Sequence, residues 1–573
     1  MHKRFNQKLL YIILVVLTAC NLLCMHYSII RYKEVPLDTT SFFDNVTGIM
    51  SDLVIVYCIL IIIFRGRIKP SLLCGYLIAL AWAFSNIIYS RFFFQYISLS
   101  SVGQAGNLFN TFMMECIIDS LRWTDLLYIV NAILFMWGYQ YVLPLKLSAK
   151  TCLKYLGTAF FSACLITFLA TTIYSIISPP FRSLGFITHH LYTHHLDLYR
   201  NSANPNWTHF QRGSFRTLFQ PMICRVLTSA ELSSEQKATI TKMASNQKGR
   251  TTKFFTTNIE NVIFIIVESY LSTTSDLVVE GQEITPCLNQ LKRDSSAYYN
   301  GNLKSNITIG ESGDGQFICM TGILPLRSEI TVGRAKEVNL PGLPNILANK
   351  LGLFTRMIIP TTPSMWEQEN MCKQYGIKKL YSCKDFDQSN DDLNDQQIFN
   401  YLQELDKESP KPFFSLILTM SMHQPYSEPL DPTFQINSPN LSKEYINYLN
   451  ACHYTDKQIG NYINFLKKTG LYKKSMIIIT ADHHPNQNSL NMKGIPSDIP
   501  LYIVNANIDT SSTWNGKCNQ LDVYTTILDI LVKDTLEWRG LGQSLLSPNY
   551  RNSLSKEAWD ASEWILQGNY FNK

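Results

Sequence analysis

Several residues able to do chemistry stand at the ends of apolar runs. Glu268 follows NVIFIIV, His423 lies a few residues beyond FFSLILTM, and Asp482, His483 and His484 follow MIIITA. Carboxylate and imidazole brought to one edge of a sheet are ligands for a hard or borderline divalent cation such as Mn²⁺, Zn²⁺ or Mg²⁺. Any one of these residues alone reads as a polar cap on a strand, so the signal lies in their joint occurrence. The stretch NITIGESGDGQFICMTGIL, 306–324, adds a hydroxyl. Gly310 and Gly313 permit a tight turn and the following run begins a helix, which puts Ser312 at a helix N-terminus, where backbone N–H groups favour phosphate oxygens. A serine there is an N-cap in the plain reading and a nucleophile if a base or metal takes its proton. Thr308 and Ser305 are weaker candidates for the same role.

These residues need a scaffold that collects strand ends. From residue 257 onward, short β-branched runs (NVIFIIVES, LFTRMIIPT, FFSLILTM, KSMIIITAD, IPLYIVNAN) alternate with helical stretches. Near-continuous apolar strands suit a mostly parallel sheet covered on both faces, hence an α/β sandwich. In such sheets functional groups gather beyond the carboxyl ends of the strands.

The first 180 residues have a different character. Five apolar segments, roughly 9–30, 51–64, 71–90, 125–144 and 152–178, are candidate membrane-spanning helices, the second needing extension back into NVTGIMSD to reach about 20 residues. The first is too long for a removed signal peptide and reads as an anchor. Lys3, Arg4 and Lys8, then Arg65, Arg67 and Lys69, then Lys146, Lys150 and Lys154 enrich one side in positive charge. That side is cytoplasmic, which sends everything after about residue 180 outside. The expected layout is 1–180 as a five-helix membrane domain, 181–256 as a helical connector and 257–573 as an outer catalytic domain. The aromatic loop 91–124 is either a surface-lying amphipathic segment or a plain connector. THHLYTHH, with His189, His190, His194 and His195, lacks a nearby carboxylate or cysteine to complete a metal site. Cys372 and Cys383 either pair or remain free thiols. A net charge of +6 over 573 residues, with no long basic stripe, leaves no case for a nucleic-acid partner.

The motifs VESY, TPCLNQL, GESGDGQF…TGILPL, SMWEQENMCKQYG, MSMHQPY, HYTDKQIGNYINFLKK, ITADHH and IPLYIVN resemble, in that order, the lipoteichoic acid synthase family. These are membrane-anchored phosphoglycerol transferases of the alkaline phosphatase/sulfatase superfamily, related to phosphoethanolamine transferases. CNQLDVYTTILDIL and WRGLGQSLL look like the superfamily's closing strand and helix. The resemblance covers roughly 257–548 together with the membrane layout, and implies a bacterial cytoplasmic membrane protein with its catalytic domain extracytoplasmic. It also implies one divalent metal, Mn²⁺ ahead of Zn²⁺ or Mg²⁺, held by Glu268, Ser312, Asp482 and His483. Ser312 then matches the family's nucleophilic threonine, His423 the histidine on the substrate phosphate, and Trp366 a tryptophan of the head-group pocket. Gln368 stands where the family usually has arginine, and Glu311, Ser312, Gly313 and Asp314 stand where it usually has a basic residue, Thr, Ser and Asp. Arg327 or Arg334 are candidates to restore the cation, while His453 and His484 are without an assigned role, His484 being a candidate substrate contact. The implied reaction moves a phospho-head-group from a membrane phospholipid, through Ser312, to a cell-envelope glycan or lipid acceptor. Its rivals are a sulfatase-like hydrolase (disfavoured because Ser312 is followed by GDGQ rather than x-Pro-x-Arg), a phosphodiesterase releasing product to water, and a non-catalytic degenerate domain.

Overall fold

The computed structural model describes residues 6–31, 39–93, 121–148, 209–219 (apart from 211–212) and 231–245, scattered positions between 96 and 162, and 259–572 apart from short breaks. The chain forms two compact units, Met1–Gly103 with Cys116–Thr228, and Gln104–Glu115 with Ser229–Lys573.

The first unit is helical: α1 (Gln7–Arg31), α2 (Thr39–Ile63), α3 (Ile68–Phe93), α4 (Leu126–Tyr139) and a short α5 (Ser214–Leu218). Gln7–Ile29, Asn45–Ile63 and Ile68–Arg91 are each long and apolar enough to cross a membrane. The second extends back through NVTGIMSD, as its length required. The fourth expected span is a helix of only 14 residues, about 21 Å long. The chain around it nevertheless runs the length of α3. At one end Asp125 takes both terminal nitrogens of Arg91, at 2.8 and 2.6 Å. At the other, the Ile68 N–H donates to Leu145 O at 3.0 Å and Arg67 bridges to Lys146. Non-helical chain after Tyr139 makes up the distance. Gln7 also bonds to Tyr141 O and Leu143 N–H, so Gln7, Arg67 and Lys146 share one end of the unit. Most of the fifth expected span, most of loop 91–124 and the THHLYTHH histidines lie outside the described residues.

Part of the connector folds onto these helices. Asn45 Nδ2 donates to Phe210 O at 2.7 Å, Trp82 Nε1 to Ser214 Oγ at 2.7 Å, and the Phe215 N–H to Asp52 Oδ2 at 2.9 Å. The rest of the described connector, α6 (Ser234–Ser245), belongs to the second unit, where Thr241 and Tyr570 hydroxyls meet at 3.1 Å.

The second unit is built on eight strands: β1 (Asn261–Val267), β2 (Tyr298–Lys304), β3 (Phe354–Ile358), β4 (Lys379–Tyr381), β5 (Phe413–Leu418), β6 (Ser475–Ala481), β7 (Ile499–Val504) and β8 (Cys518–Asn519). Their order is β8-β2-β7-β6-β1-β5-β3-β4, and only β7 runs against the others. All five strands expected from the sequence are present. β1 and β6 are buried along their whole length, as covered strands must be.

Helices pack in two sets. One holds α7 (Glu311–Thr321), α9 (Asp522–Leu531) and α10 (Lys556–Gln567); the other centres on α8 (Lys443–Thr469), packed against Asp395–Glu408 and Pro286–Lys292. The sheet is therefore mixed, mostly parallel and sandwiched, and β1, in the middle, pairs in parallel with β6 and β5. Val267 is level with Ala481, so the next residues, Glu268 and Asp482, emerge side by side.

Candidate active site

The strand ends are fixed before any side chain acts. The Asp482 N–H donates to Val267 O at 3.2 Å, and the Glu268 N–H donates to Thr419 Oγ1 at 3.0 Å, beyond β5. Asp482 Oδ1 accepts two N–H groups, from Ser269 at 2.9 Å and His483 at 2.7 Å, which leaves Oδ2 for other work. His483 Nδ1 lies 2.8 Å from His484 O. A carbonyl only accepts, so Nδ1 carries a proton and Nε2 is the nitrogen turned to the cluster, the one that would offer its lone pair to a metal.

Ser312 arrives from the other direction, on the first turn of α7. The buried Asp314 carboxylate shapes that turn by accepting from Thr308 N–H (2.9 Å), Thr308 Oγ1 (2.8 Å) and Gly310 N–H (3.0 Å). Glu311 takes a left-handed φ of 42°, a conformation costing a non-glycine residue about 1–3 kcal/mol. Ser269, Trp366 and Glu367 share this property, with φ of 49°, 49° and 57°. The helix comes so close to β6 that a Cβ on Gly315 would lie 2.1 Å from Asp482 O.

These pieces converge. Ser312 Oγ donates to Glu268 Oε2 at 3.1 Å and lies 3.1 Å from His483 Nε2. His483 Nε2 lies 3.5 Å from Glu268 Oε1 and 3.6 Å from Asp482 Oδ2. Glu268, Asp482 and His483 are all buried, with ligand atoms within 4.8 Å of one another. Two ligands each about 2.1 Å from a tetrahedral ion stand about 3.4 Å apart, so separations of 3.1–3.6 Å suit one ion with little rearrangement.

The electrostatics agree. Burial and the adjacent Glu268 carboxylate push Asp482 up to about 7. Burial alone would lower His483, but Asp482 and Glu268 outweigh it and push this imidazole up to about 9. Without a cation, Asp482 and His483 thus hold on to their protons, and a divalent ion would displace them. The donor set of two carboxylates, one imidazole and one hydroxyl suits a divalent cation.

Other expected residues fall in different places. His423 follows β5, with Nδ1 2.5 Å from Gln424 O. Burial and the neighbouring His483 hold it below the ordinary imidazole value, hence neutral. His484 Nδ1 lies 3.0 Å from Pro485 O, and burial lowers this imidazole as well. The Trp366 ring lies over the Ser312 turn, where a Cβ on Gly313 would meet Cε3 at 3.2 Å.

Gln368 is not brought to the cluster. It is buried in a reciprocal amide pair with Gln316, at 2.8 and 3.1 Å. Neither arginine stands in for the missing cation. Arg327 is tied to Asp560 and Glu563, and Arg334 to Glu337 and the carbonyls of Leu566 and Gln567. His453 stacks on Phe434 at 3.8 Å, away from the cluster's strand ends, and bonds to Ile284 O. Cys372 and Cys383 form no disulfide: Cys372 Sγ packs 3.3 Å from Met357 Sδ, so the pairing alternative fails. Thr308 Oγ1 is held by Asp314 and Leu326 O, which removes it as a rival to Ser312.

Sequence reasoning missed the supports. Ser269 and Asp314 were adjacent to recognised motifs but carried no spacing signal. Asp395, whose carboxylate accepts from Met420 N–H (2.8 Å), Ser421 N–H (3.0 Å) and Thr455 Oγ1 (2.6 Å), holds the turn leading to His423.

Fold and cluster together define an α/β sandwich that gathers a candidate metal-binding group and a serine hydroxyl at the carboxyl edge of its sheet. The family model described as Sulfatase matches residues 260–531. Residues 260–531 thus carry a sulfatase-type domain, and over most of its length the chain is similar to lipoteichoic acid synthases. The lipoteichoic acid synthase of Staphylococcus saprophyticus is 23% identical, with 97% of this chain and 86% of that protein covered. Among solved structures, the lipoteichoic acid synthase LtaP from Listeria monocytogenes is 20% identical with a TM-score of 0.47, covering 58% of this chain and 98% of that one. The Streptococcus pyogenes phosphoglycerol transferase GacH, in complex with sn-glycerol-1-phosphate, is 15% identical with a TM-score of 0.42, covering 59% and 93%.

Proposed function

We propose that this protein is a membrane-anchored, metal-dependent phosphotransferase that moves a phospho-head-group from a membrane phospholipid to a cell-envelope glycan or lipid. The observation that carries the reading is Ser312 Oγ at 3.1 Å from both Glu268 Oε2 and His483 Nε2, on a helix N-terminus. A divalent ion held by Glu268, Ser312, Asp482 and His483 would supply charge to stabilise the serine alkoxide and the phosphoryl oxygens.

Ser312 Oγ attacks the phosphorus; its bond to phosphorus forms as the bond to the diacylglycerol oxygen breaks. The neutral His423 imidazole takes the Ser312 proton and passes it to the departing diacylglycerol oxygen. It then takes the proton of an acceptor hydroxyl as that oxygen attacks the Ser312-linked phosphorus, and returns it to Ser312 as the bond between Ser312 Oγ and phosphorus breaks. Trp366 lies where it can cover the head group.

Charge around the nucleophile bears on which head group enters. One divalent ion balances Glu268 and Asp482, while Glu311, next to Ser312, adds a further carboxylate that acts on His483. Arg327 and Arg334 are committed to the C-terminal helix and its neighbours. An anionic phosphodiester enters such surroundings best when its head group carries an ammonium, and an indole face attracts ammonium. This favours phosphoethanolamine over phosphoglycerol.

The topology belongs to the same reading. Five spans, with the shared end of Gln7, Arg67 and Lys146 in the cytoplasm, leave the catalytic unit extracytoplasmic, at the surface where donor and acceptor meet. Mass spectrometry of the intact, metal-loaded protein after incubation with mixed phospholipids tests the proposal. A Ser312 adduct of phosphoethanolamine mass is expected, together with transfer to an added acceptor. Ser312→Ala that binds metal yet still cleaves lipid would sink the mechanism.

A further inference from the structure

We infer that Ser269 is a positioning residue that aims both carboxylate ligands of the cradle, and that Tyr448 locks it in the one backbone conformation where it can do so. The inference rests on reading Glu268, Asp482 and His483 as a metal cradle. Ser269 Oγ donates to Glu268 Oε1 at 2.6 Å, while its own N–H donates to Asp482 Oδ1 at 2.9 Å. One residue thus occupies one oxygen on each of two carboxylates. Glu268 Oε2 is left facing Ser312, and Asp482 Oδ2 is left facing His483.

The two bonds diverge to ligands on neighbouring strands, and Ser269 reaches both with a φ of 49°. A side chain is disfavoured there and glycine is at ease. The chain keeps a hydroxyl at a position where backbone energy alone would select glycine. A clamp holds the strained turn: Tyr448 Oη donates to Ser269 O at 3.1 Å and accepts the Leu271 N–H at 3.0 Å. Tyr448 lies on α8, fully buried, with Tyr445 stacked at 6.1 Å and Tyr426 edge-on at 5.3 Å, so its hydroxyl is a rigid anchor. Partners that orient ligating carboxylates in this way are worth about 10–100-fold in metal affinity.

Ser269→Gly separates aim from fold. It removes the hydroxyl, relieves the backbone, and retains both the N–H to Asp482 and the carbonyl to Tyr448. Titration of the detergent-solubilised full chain with Zn²⁺ and with Mn²⁺, beside thermal unfolding of the metal-free protein, reads both consequences. The expected result is metal binding weakened about 10–100-fold with an unchanged or higher melting temperature. Tyr448→Phe, which removes only the anchoring hydroxyl, should weaken binding in the same direction. Wild-type affinity in a folded Ser269→Gly protein overturns the inference, as does loss of affinity only in step with loss of stability. A wild-type chain that binds neither metal overturns the cradle itself, and the positioning role with it.

Discussion

Gly315→Ala tests how closely α7 must approach β6 for the cluster to form. The added methyl would lie 2.1 Å from Asp482 O, 2.6 Å from its carbonyl carbon and 2.7 Å from its Cα. All three are backbone atoms at the end of a buried central strand, so no side chain can swing away. Carbon keeps about 3.3 Å from a carbonyl oxygen, so helix and strand must separate by roughly 1.2 Å. Metal–ligand distances tolerate about 0.2 Å. The displacement is several times larger, and it acts on Ser312 and Asp482 together. Stability responds less, because overpacking costs about 1–3 kcal/mol while alanine in a helix returns about 1 kcal/mol over glycine. The expected outcome is metal affinity at least tenfold weaker, about 1.4 kcal/mol, in a protein that still folds. Calorimetric titration of the full chain measures this, with Gly313→Ala as the control on the same helix. There the new methyl meets only side-chain atoms, the Trp366 ring at 3.2 Å and Val332 Cγ1 at 3.5 Å, and affinity should stay within about threefold. Wild-type affinity in folded Gly315→Ala would refute the reasoning that this approach sets the site.

Three further outcomes follow from the same geometry. Ser312→Ala should abolish the phospholipid adduct, with lipid cleavage down by about 10³-fold or more, while titration still shows metal bound through the three remaining ligands. Glu311→Lys should move donor preference from phosphatidylethanolamine toward phosphatidylglycerol by about tenfold in competition assays, read from the adduct mass; an unchanged preference would remove Glu311 from specificity. Asp456 accepts N–H groups from Cys287 and Leu288 at 2.9 and 2.8 Å, and burial pushes its carboxyl up to about 6. A folded pKa above the unfolded value gives stability that is full below about pH 4 and lost as pH rises through about 6. Asp456→Asn, which does not titrate, should therefore gain on wild type by up to ~2 kcal/mol between pH 4 and 7 in chemical denaturation, and a pH-independent difference would contradict the assignment.

The strands that sequence reading found were those whose environment is uniform. β1, β3, β5, β6 and β7 sit inside the sheet, and burial on both faces made each mostly apolar, with Thr355, Arg356 and Ser415 as the interruptions in β3 and β5. β2 was missed because YYNGNLK alternates and carries an irregularity between Asn300 and Leu303. β4 and β8, at three and two residues, leave too little pattern to see. The fourth apolar segment was visible as hydrophobicity, but its conversion from helix to non-helical chain after Tyr139 was not. Gln368 occupies the expected position in the chain, yet its amide turns inward to Gln316. Cys372 and Cys383 are near in sequence, but Cys372 packs against Met357.

The sequence by itself determined the order of apolar helices then sandwich, the five principal strands, and Glu268, Ser312, Asp482 and His483 as candidates that the fold brings together. It could do so because solvent exclusion and ligand chemistry constrain residue type, and type is what a sequence records. Only the tertiary structure decided which oxygen of each carboxylate is available, that Asp314, Ser269 and Tyr448 hold the site in strained turns, and that Arg327, Arg334 and Gln368 are engaged elsewhere. Those are matters of direction over a few ångströms between residues as much as 236 positions apart, as Arg327 and Glu563 are. Direction is set by packing of the whole domain, so no local pattern encodes it.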